Sequence, residues 1–124
     1  MRLLLDTHAL LWWLAGDEMA RRAVAAIADP RALVVVSAAS VWECAIKAGL
    51  GQLVVPGPLE PVIVEEGFEP LPIRLEHASR VGLLLGHHRD PFDRMLVAQA
   101  QVERLTIVTR DPAFDDYEVD VLAC

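Results

Sequence analysis

Short β-rich apolar runs alternate along this chain with stretches of helical period, and that alternation allows few folds. Arg2–Leu5, Leu33-Val34-Val35-Val36, Leu105–Thr109 and Val119–Leu122 read as strands, with a short edge strand at Pro70-Leu71-Pro72-Ile73, where two prolines weaken pairing. Helical segments between strands imply crossover connections and a mainly parallel sheet. The fold class expected is therefore α/β, and at 124 residues the chain fits a single domain, 1–124, able to bury its own core.

The helices carry their own punctuation. One runs through Leu10, Leu11 and Leu14 and stops at Gly16; Asp17 is expected to cap a second, with Ala20, Val24 and Ile27 on its buried face and Asp29-Pro30 ending it. Ser37 caps a helix carrying Val41, Trp42, Ala45 and Ile46, with Gly49 and Gly51 at its exit. After the Pro56-Gly57-Pro58 turn a helix covers Leu59–Glu66, and another runs from Leu75 to Leu85, closed by Gly86. Asp90-Pro91-Phe92-Asp93 is the clearest helix start, with an N-cap, proline at the first position and an acid three residues later; Met95, Leu96, Ala98 and Val102 supply its apolar surface.

Composition narrows the class. Apolar residues make up 54% of the chain, above the roughly 45–50% usual in soluble domains, which points to heavily buried strands and an oligomer interface. Asp6 and His8 break the N-terminal apolar stretch and no cleavage site follows, so neither a signal peptide nor a membrane span is expected and the location expected is cytoplasmic. Cys44 and Cys124 lack metal-ligand spacing and read as a buried thiol and a tail thiol. A net charge of −7 argues against gripping nucleic acid by basicity alone, but cations held by clustered carboxylates reverse the field locally, and acidic charge favours a basic protein partner.

Four acids stand where such a cluster would form. Asp6 follows the first strand and Asp111 follows the Leu105–Thr109 strand, so both leave the same carboxyl edge, where open α/β sheets bind ligands. Glu43 interrupts an apolar helix between Trp42 and Cys44, where a charge is costly without a partner, and Asp93 opens another helix. Each also has a plain structural reading: Asp6 as a helix cap, Glu43 paired with Lys47 one turn on, Asp93 at a positive helix start, Asp111 in an Asp-Pro turn. Four carboxylates about 5 Å apart would repel by roughly 20 kcal/mol in all at an effective dielectric near 20, so such a cluster needs cations. Hard dications, Mg²⁺ or Mn²⁺, suit oxygen donors with no Cys or His among them, and a pair of such ions catalyses phosphodiester hydrolysis.

These pieces resemble a family. Leu4-Leu5-Asp6-Thr7-His8, Ser40-Val41-Trp42-Glu43, His88-Arg89-Asp90-Pro91-Phe92-Asp93-Arg94 and Val108-Thr109-Arg110-Asp111, in this order, are similar to the PIN-domain ribonucleases, most closely the VapC-type toxins of type II toxin–antitoxin pairs. The resemblance implies a PIN-like three-layer α/β/α fold and a Mg²⁺- or Mn²⁺-dependent endoribonuclease with Asp6, Glu43, Asp93 and Asp111 as catalytic and metal-binding residues. It also implies an RNA substrate, a cognate antitoxin covering the groove, and a homodimer. The contrasting readings are a non-catalytic PIN-like scaffold and a receiver-type signalling module. The receiver needs an Asp after a middle strand and a late Lys, whereas here that strand ends at Ser37 and the last lysine is Lys47.

Neighbouring residues receive lesser roles. Asp90 reads as an N-cap rather than a ligand, Thr7 and Thr109 as hydroxyls that orient the acids, and Asp115 and Asp116 as outer contacts of the site. Arg89 and Arg94 are expected to reach RNA phosphates. His87 and His88 read as a polar loop, Trp12, Trp13 and Trp42 as packing, and Arg21 and Arg22 as a solvated face.

Overall fold

The structure, a computed structural model, describes residues 1–84 and 90–124. Five strands form one sheet in the order β3-β2-β1-β4-β5, all neighbours parallel: β1 (Arg2–Leu5), β2 (Leu33–Ser37), β3 (Glu69–Leu71), β4 (Thr106–Thr109) and β5 (Val121–Ala123). Leu4 pairs with Val35 on one side and Ile107 on the other, so β1 is the centre of the sheet. Successive side chains of a strand point to opposite faces, and both faces are covered. Leu3 and Leu5 join one core with Leu10, Ala23, Ile27, Cys44 and Ile63, while Leu4 joins the other with Leu96, Val97, Ala100, Ile107 and Phe114. The result is the three-layer α/β/α arrangement expected. Among the described residues no helix is long and apolar enough to cross a membrane.

Helices α1 (Thr7–Ala15), α2 (Arg21–Ala28) and α4 (Leu59–Glu65) contribute to the first core, and α6 (Pro91–Glu103) to the second; α3 (Ala38–Gly49) touches both and α5 (Leu75–Val81) packs on α6. Gly16 closes α1 at φ 71°, and the Asp17 N–H bonds back to the Trp12 carbonyl at 2.9 Å. That engagement belongs to the end of α1. Asp17 therefore does not cap α2, which starts at Arg21 after Ala20 with no side-chain cap. The buried face of α2 is Ala23 and Ile27, not the expected Ala20 and Val24, which are exposed.

Other elements shift by a few residues. α5 ends at Val81 and runs into a turn at Gly82, short of the expected Leu85; the expected stop at Gly86 lies outside the described residues. β5 begins at Val121 rather than Val119. On α3 the apolar Trp42 and Ile46 are exposed, 58% and 40%, while Ala39, Ser40, Glu43 and Cys44 face inward. Both cysteines are free and buried, and burial pushes the Cys44 thiol up to about 11. Buried Gln99 of α6 accepts from Ser37 Oγ at 2.5 Å and donates to the Pro72 carbonyl at 3.3 Å, which ties α6 to the start of α3.

Candidate metal centre

The strand order reverses direction at β1: β2 and β3 lie to one side, β4 and β5 to the other. Ligands of open α/β sheets bind outside the carboxyl ends of the strands at such a switch point. Here Asp6 follows β1 and Asp111 follows β4 with one residue between. A cleft of about 360 Å³ opens there, lined by Asp6, Glu43, Asp93 and Asp111 together. Thr7, His8, Trp12, Lys47, Asp90 and Arg110 complete its walls.

Each acid is held by local structure. Asp6 is 6% exposed and caps α1, its Oδ1 accepting from the Ala9 N–H at 2.7 Å and its Oδ2 from Thr109 Oγ1 at 2.5 Å. Thr109 Oγ1 in turn accepts from the Asp111 N–H at 3.1 Å, so one hydroxyl links the ends of β1 and β4. Glu43, 3% exposed, accepts from Thr7 Oγ1 at 2.6 Å through Oε1 and from Lys47 Nζ at 2.5 Å through Oε2. Both threonines thus orient acids, as expected. Asp93 lies in the first turn of α6, and exposed Asp111 accepts from the Ala113 N–H at 2.9 Å at the head of the Pro112–Asp116 3-10 turn.

Burial pushes the Asp6 carboxyl above its ordinary range; the bonds from Thr109 and Ala9 and the nearby His8 pull it back, and Asp111 adds to the rise. Lys47 is held charged, raised chiefly by its bond to Glu43, with Asp90 and Asp93 adding to the effect. The ammonium therefore sits in the field of three acids. This arrangement is looser than the 5 Å cluster expected: among the described residues no three of the four acids bring oxygens within 4.8 Å of one another, and Lys47 takes up part of the negative charge.

The trio that does meet that spacing among the described residues, Glu76, His77 and Glu103, lies elsewhere between α5 and α6. His77 is fully buried, and its Nδ1 accepts from the Arg74 N–H at 3.0 Å, which leaves Nε2 to donate to Glu103 at 3.3 Å. A metal on Nε2 would need the opposite tautomer, so this trio is a satisfied structural contact.

Several expectations need correction. Asp90 caps α6 as expected, accepting from the Phe92 and Asp93 N–H groups at 2.8 and 3.2 Å, and in addition lines the cleft. A cap needs one carboxylate oxygen, so the two positions are compatible. Asp115 and Asp116 are exposed and do not line the cleft; Asp116 borders a separate cavity beside Tyr117 and Glu118. Arg94 turns away from the cleft, donating to Tyr117 Oη and to the Val81 and Leu84 carbonyls at 3.2 Å each, so it serves packing rather than RNA phosphates. Arg89, His87 and His88 lie outside the described residues.

Of the tryptophans, Trp12 and Trp13 pack against the first core as expected, Trp13 beside Phe68, and Trp42 packs on Phe92; Trp12 also lines the cleft beneath Arg110, whose guanidinium carbon is 3.8 Å from the ring centroid. Arg110, Lys47, Trp12 and His8 were not read from sequence as parts of the site. Their positions carried a signal: Lys47 is four residues from Glu43, His8 and Trp12 are one turn apart behind Asp6, and Arg110 separates Thr109 from Asp111.

The chain belongs to the PIN domain family, whose model matches residues 3–120. Its fold resembles a chain of the VapBC2 complex from Rickettsia felis, solved with a DNA fragment from its promoter, at a TM-score of 0.74 and 13% identity, covering 100% of this chain and 99% of that one. It also resembles a chain of the FitAcB structure from Neisseria gonorrhoeae (TM-score 0.63, 25% identity, 97% and 96% covered) and one of a toxin–antitoxin complex from Klebsiella pneumoniae (0.67, 21%, 97% and 95%). No curated protein matches the chain in sequence.

Proposed function

We propose that this protein is a Mg²⁺- or Mn²⁺-dependent endoribonuclease and the toxin of a type II toxin–antitoxin pair. The observation that carries the reading is the convergence of Asp6, Glu43, Asp93 and Asp111 on one cleft at the switch point of the sheet. PIN-domain proteins are nucleases as a family, and the toxin–antitoxin complexes among the structural neighbours support the pairing.

The donor set fits hard dications. All four acids offer oxygen, no Cys or His lies among them, and Asp6 is kept in a position where burial disfavours its ionised form. In this reading Asp6, Glu43, Asp93 and Asp111 hold the ions. Bound there, the ions supply water activation and charge stabilisation on the attacking and leaving oxygens.

The chain's own residues do the positioning. Thr109 fixes the Asp6 carboxylate plane and couples it to the Asp111 backbone, and Thr7 does the same for Glu43. Lys47 holds positive charge beside Glu43 and, with Arg110, moderates the repulsion an RNA phosphate meets on entering an acidic cleft.

The exposed apolar Trp42 and Ile46 of α3, with Val64 of α4, support protein contacts, in this reading an antitoxin and a second copy in a homodimer. An antitoxin directing basic residues at the acids would match the charge of the cleft. The test is cleavage of structured RNAs by the purified chain with Mg²⁺ or Mn²⁺, compared with Asp6→Asn. Activity in the parent alone is expected; equal cleavage by both rejects the reading.

A further inference from the structure

We infer that His8, Trp12 and Arg110 form a shelf on one wall of the cleft that stacks an unpaired RNA base beside the acids, an inference that rests on the ribonuclease reading above. His8 and Trp12 stand one turn apart on α1 with ring centroids 5.7 Å apart, and Arg110 lies over Trp12 with its guanidinium carbon 3.8 Å from the ring centroid. All three line the cleft, His8 and Arg110 exposed and Trp12 half-buried. Imidazole and indole, tilted by 41°, and the guanidinium over the indole thus adjoin one another in a pocket whose other walls are largely carboxylate.

The orientation of Arg110 decides what the shelf recognises. Its Nη2 donates to the main-chain oxygens of Cys124 at 2.8 Å and Glu18 at 3.3 Å, which fixes the guanidinium and spends both protons of that nitrogen on the protein. An arginine meant for bidentate phosphate binding keeps its fork for the ligand. Here the fork is partly committed and the guanidinium carbon lies over an indole, so the group is suited to stacking. Aromatic rings and arginine planes are what proteins offer to bases of single-stranded RNA, and stacking tolerates any base because every base has a π-face. It also attracts the substrate without relying on net charge, which in this protein is −7 and opposes a polyanion.

The experiment compares two probes with equal phosphate counts. A labelled single-stranded 12-mer RNA and the same 12-mer with abasic sites through its central positions are titrated by fluorescence anisotropy against the Asp6→Asn protein, which leaves the RNA intact. The shelf gives a preference for the base-bearing strand of about tenfold, the scale of one stacked base. Adding Trp12→Leu, His8→Ala or Arg110→Lys shrinks that preference, while Mn²⁺ affinity of the parent carrying the charge-conserving Arg110→Lys stays as it was. Arg110→Lys is decisive, because it keeps the charge and loses the plane. It also keeps the test alive if Trp12→Leu fails to fold.

A preference that survives all three changes, or is absent from Asp6→Asn while the parent cleaves RNA, overturns the shelf and leaves the nuclease reading standing. A parent that neither binds nor cuts RNA overturns both.

Discussion

Lys47 Nζ lies 2.5 Å from Glu43 Oε2, one helical turn apart on α3, and this pair stands inside the cleft rather than on the protein surface. Glu43 is almost wholly buried while Lys47 is about one-third exposed. The lysine is therefore a built-in monovalent cation, placed where a site of four acids needs positive charge. In the proposed enzyme a dication and Lys47 compete for the same carboxylate.

That competition fixes a pair of outcomes for Lys47→Met. Without metal, a buried Glu43 loses its counter-ion, and stability should fall by about 1–2 kcal/mol, less than a fully buried broken pair because Lys47 is partly solvated. Mn²⁺ affinity, read by calorimetry, should rise, and the Mn²⁺-induced gain in Tm should exceed that of the parent. A weaker Mn²⁺ affinity in the variant would show that Lys47 instead prepares the site.

Asp6 sets the pH response. Its folded carboxyl is raised above the ordinary 3.8 by burial, so the folded state holds that proton to higher pH than the unfolded chain does. Stability of the metal-free protein should thus drop as pH rises through the window above 3.8, because ionisation is disfavoured only in the fold. Asp6→Asn has no such proton to lose. The two proteins should melt alike at low pH and diverge toward neutrality with the variant more stable, as thermal scans across that range would reveal. With Mn²⁺ present the order should reverse, since binding rewards the ionised carboxylate.

Thr109→Val removes the hydroxyl that donates to Asp6 and accepts from the Asp111 N–H while keeping the side chain's shape. Outer partners of metal ligands typically matter by about 10–100-fold, so in the proposed enzyme ribonuclease activity should fall by at least about tenfold. The fold should lose about 1–2 kcal/mol for the unpaired buried groups. Full activity in Thr109→Val would show that Asp6 is oriented by other means.

Much of this was legible in the sequence. Leu3, Leu4 and Leu5 are consecutive and apolar because the central strand is covered on both faces, and Asp90-Pro91 marks a helix start by backbone rules that need no tertiary context. The shared edge of Asp6 and Asp111 was legible for a related reason: each follows a strand, and the parallel direction of the two strands brings both to one edge. What escaped depended on packing between distant segments. Asp17 looks like a cap until Gly16 turns it back onto Trp12, and the apolar Trp42 and Ile46 look buried until α3 is rotated to bring Glu43 inward. Arg110 beside Trp12 is a contact between residues nearly a hundred positions apart, which no local period encodes.

Arg94 supplies a contrast to the cleft cations. Its guanidinium holds the Val81 and Leu84 carbonyls and Tyr117 Oη, bridging α6 to the end of α5 and to the segment before β5. Arg94→Met should cost about 2–3 kcal/mol, since several hydrogen bonds to a charged group are lost, while on the proposed reading the folded fraction should keep the parent's affinity for single-stranded RNA. Denaturant melts paired with anisotropy separate the two effects.

Crystals of the parent protein soaked in MnCl₂ and measured at the manganese absorption edge would show directly where a hard dication goes. Anomalous density in the cleft, with oxygens of Asp6, Glu43, Asp93 and Asp111 around it and Lys47 withdrawn from Glu43, is the expected result. Density confined to Glu76, His77 and Glu103, or none at a saturating concentration, would contradict the account.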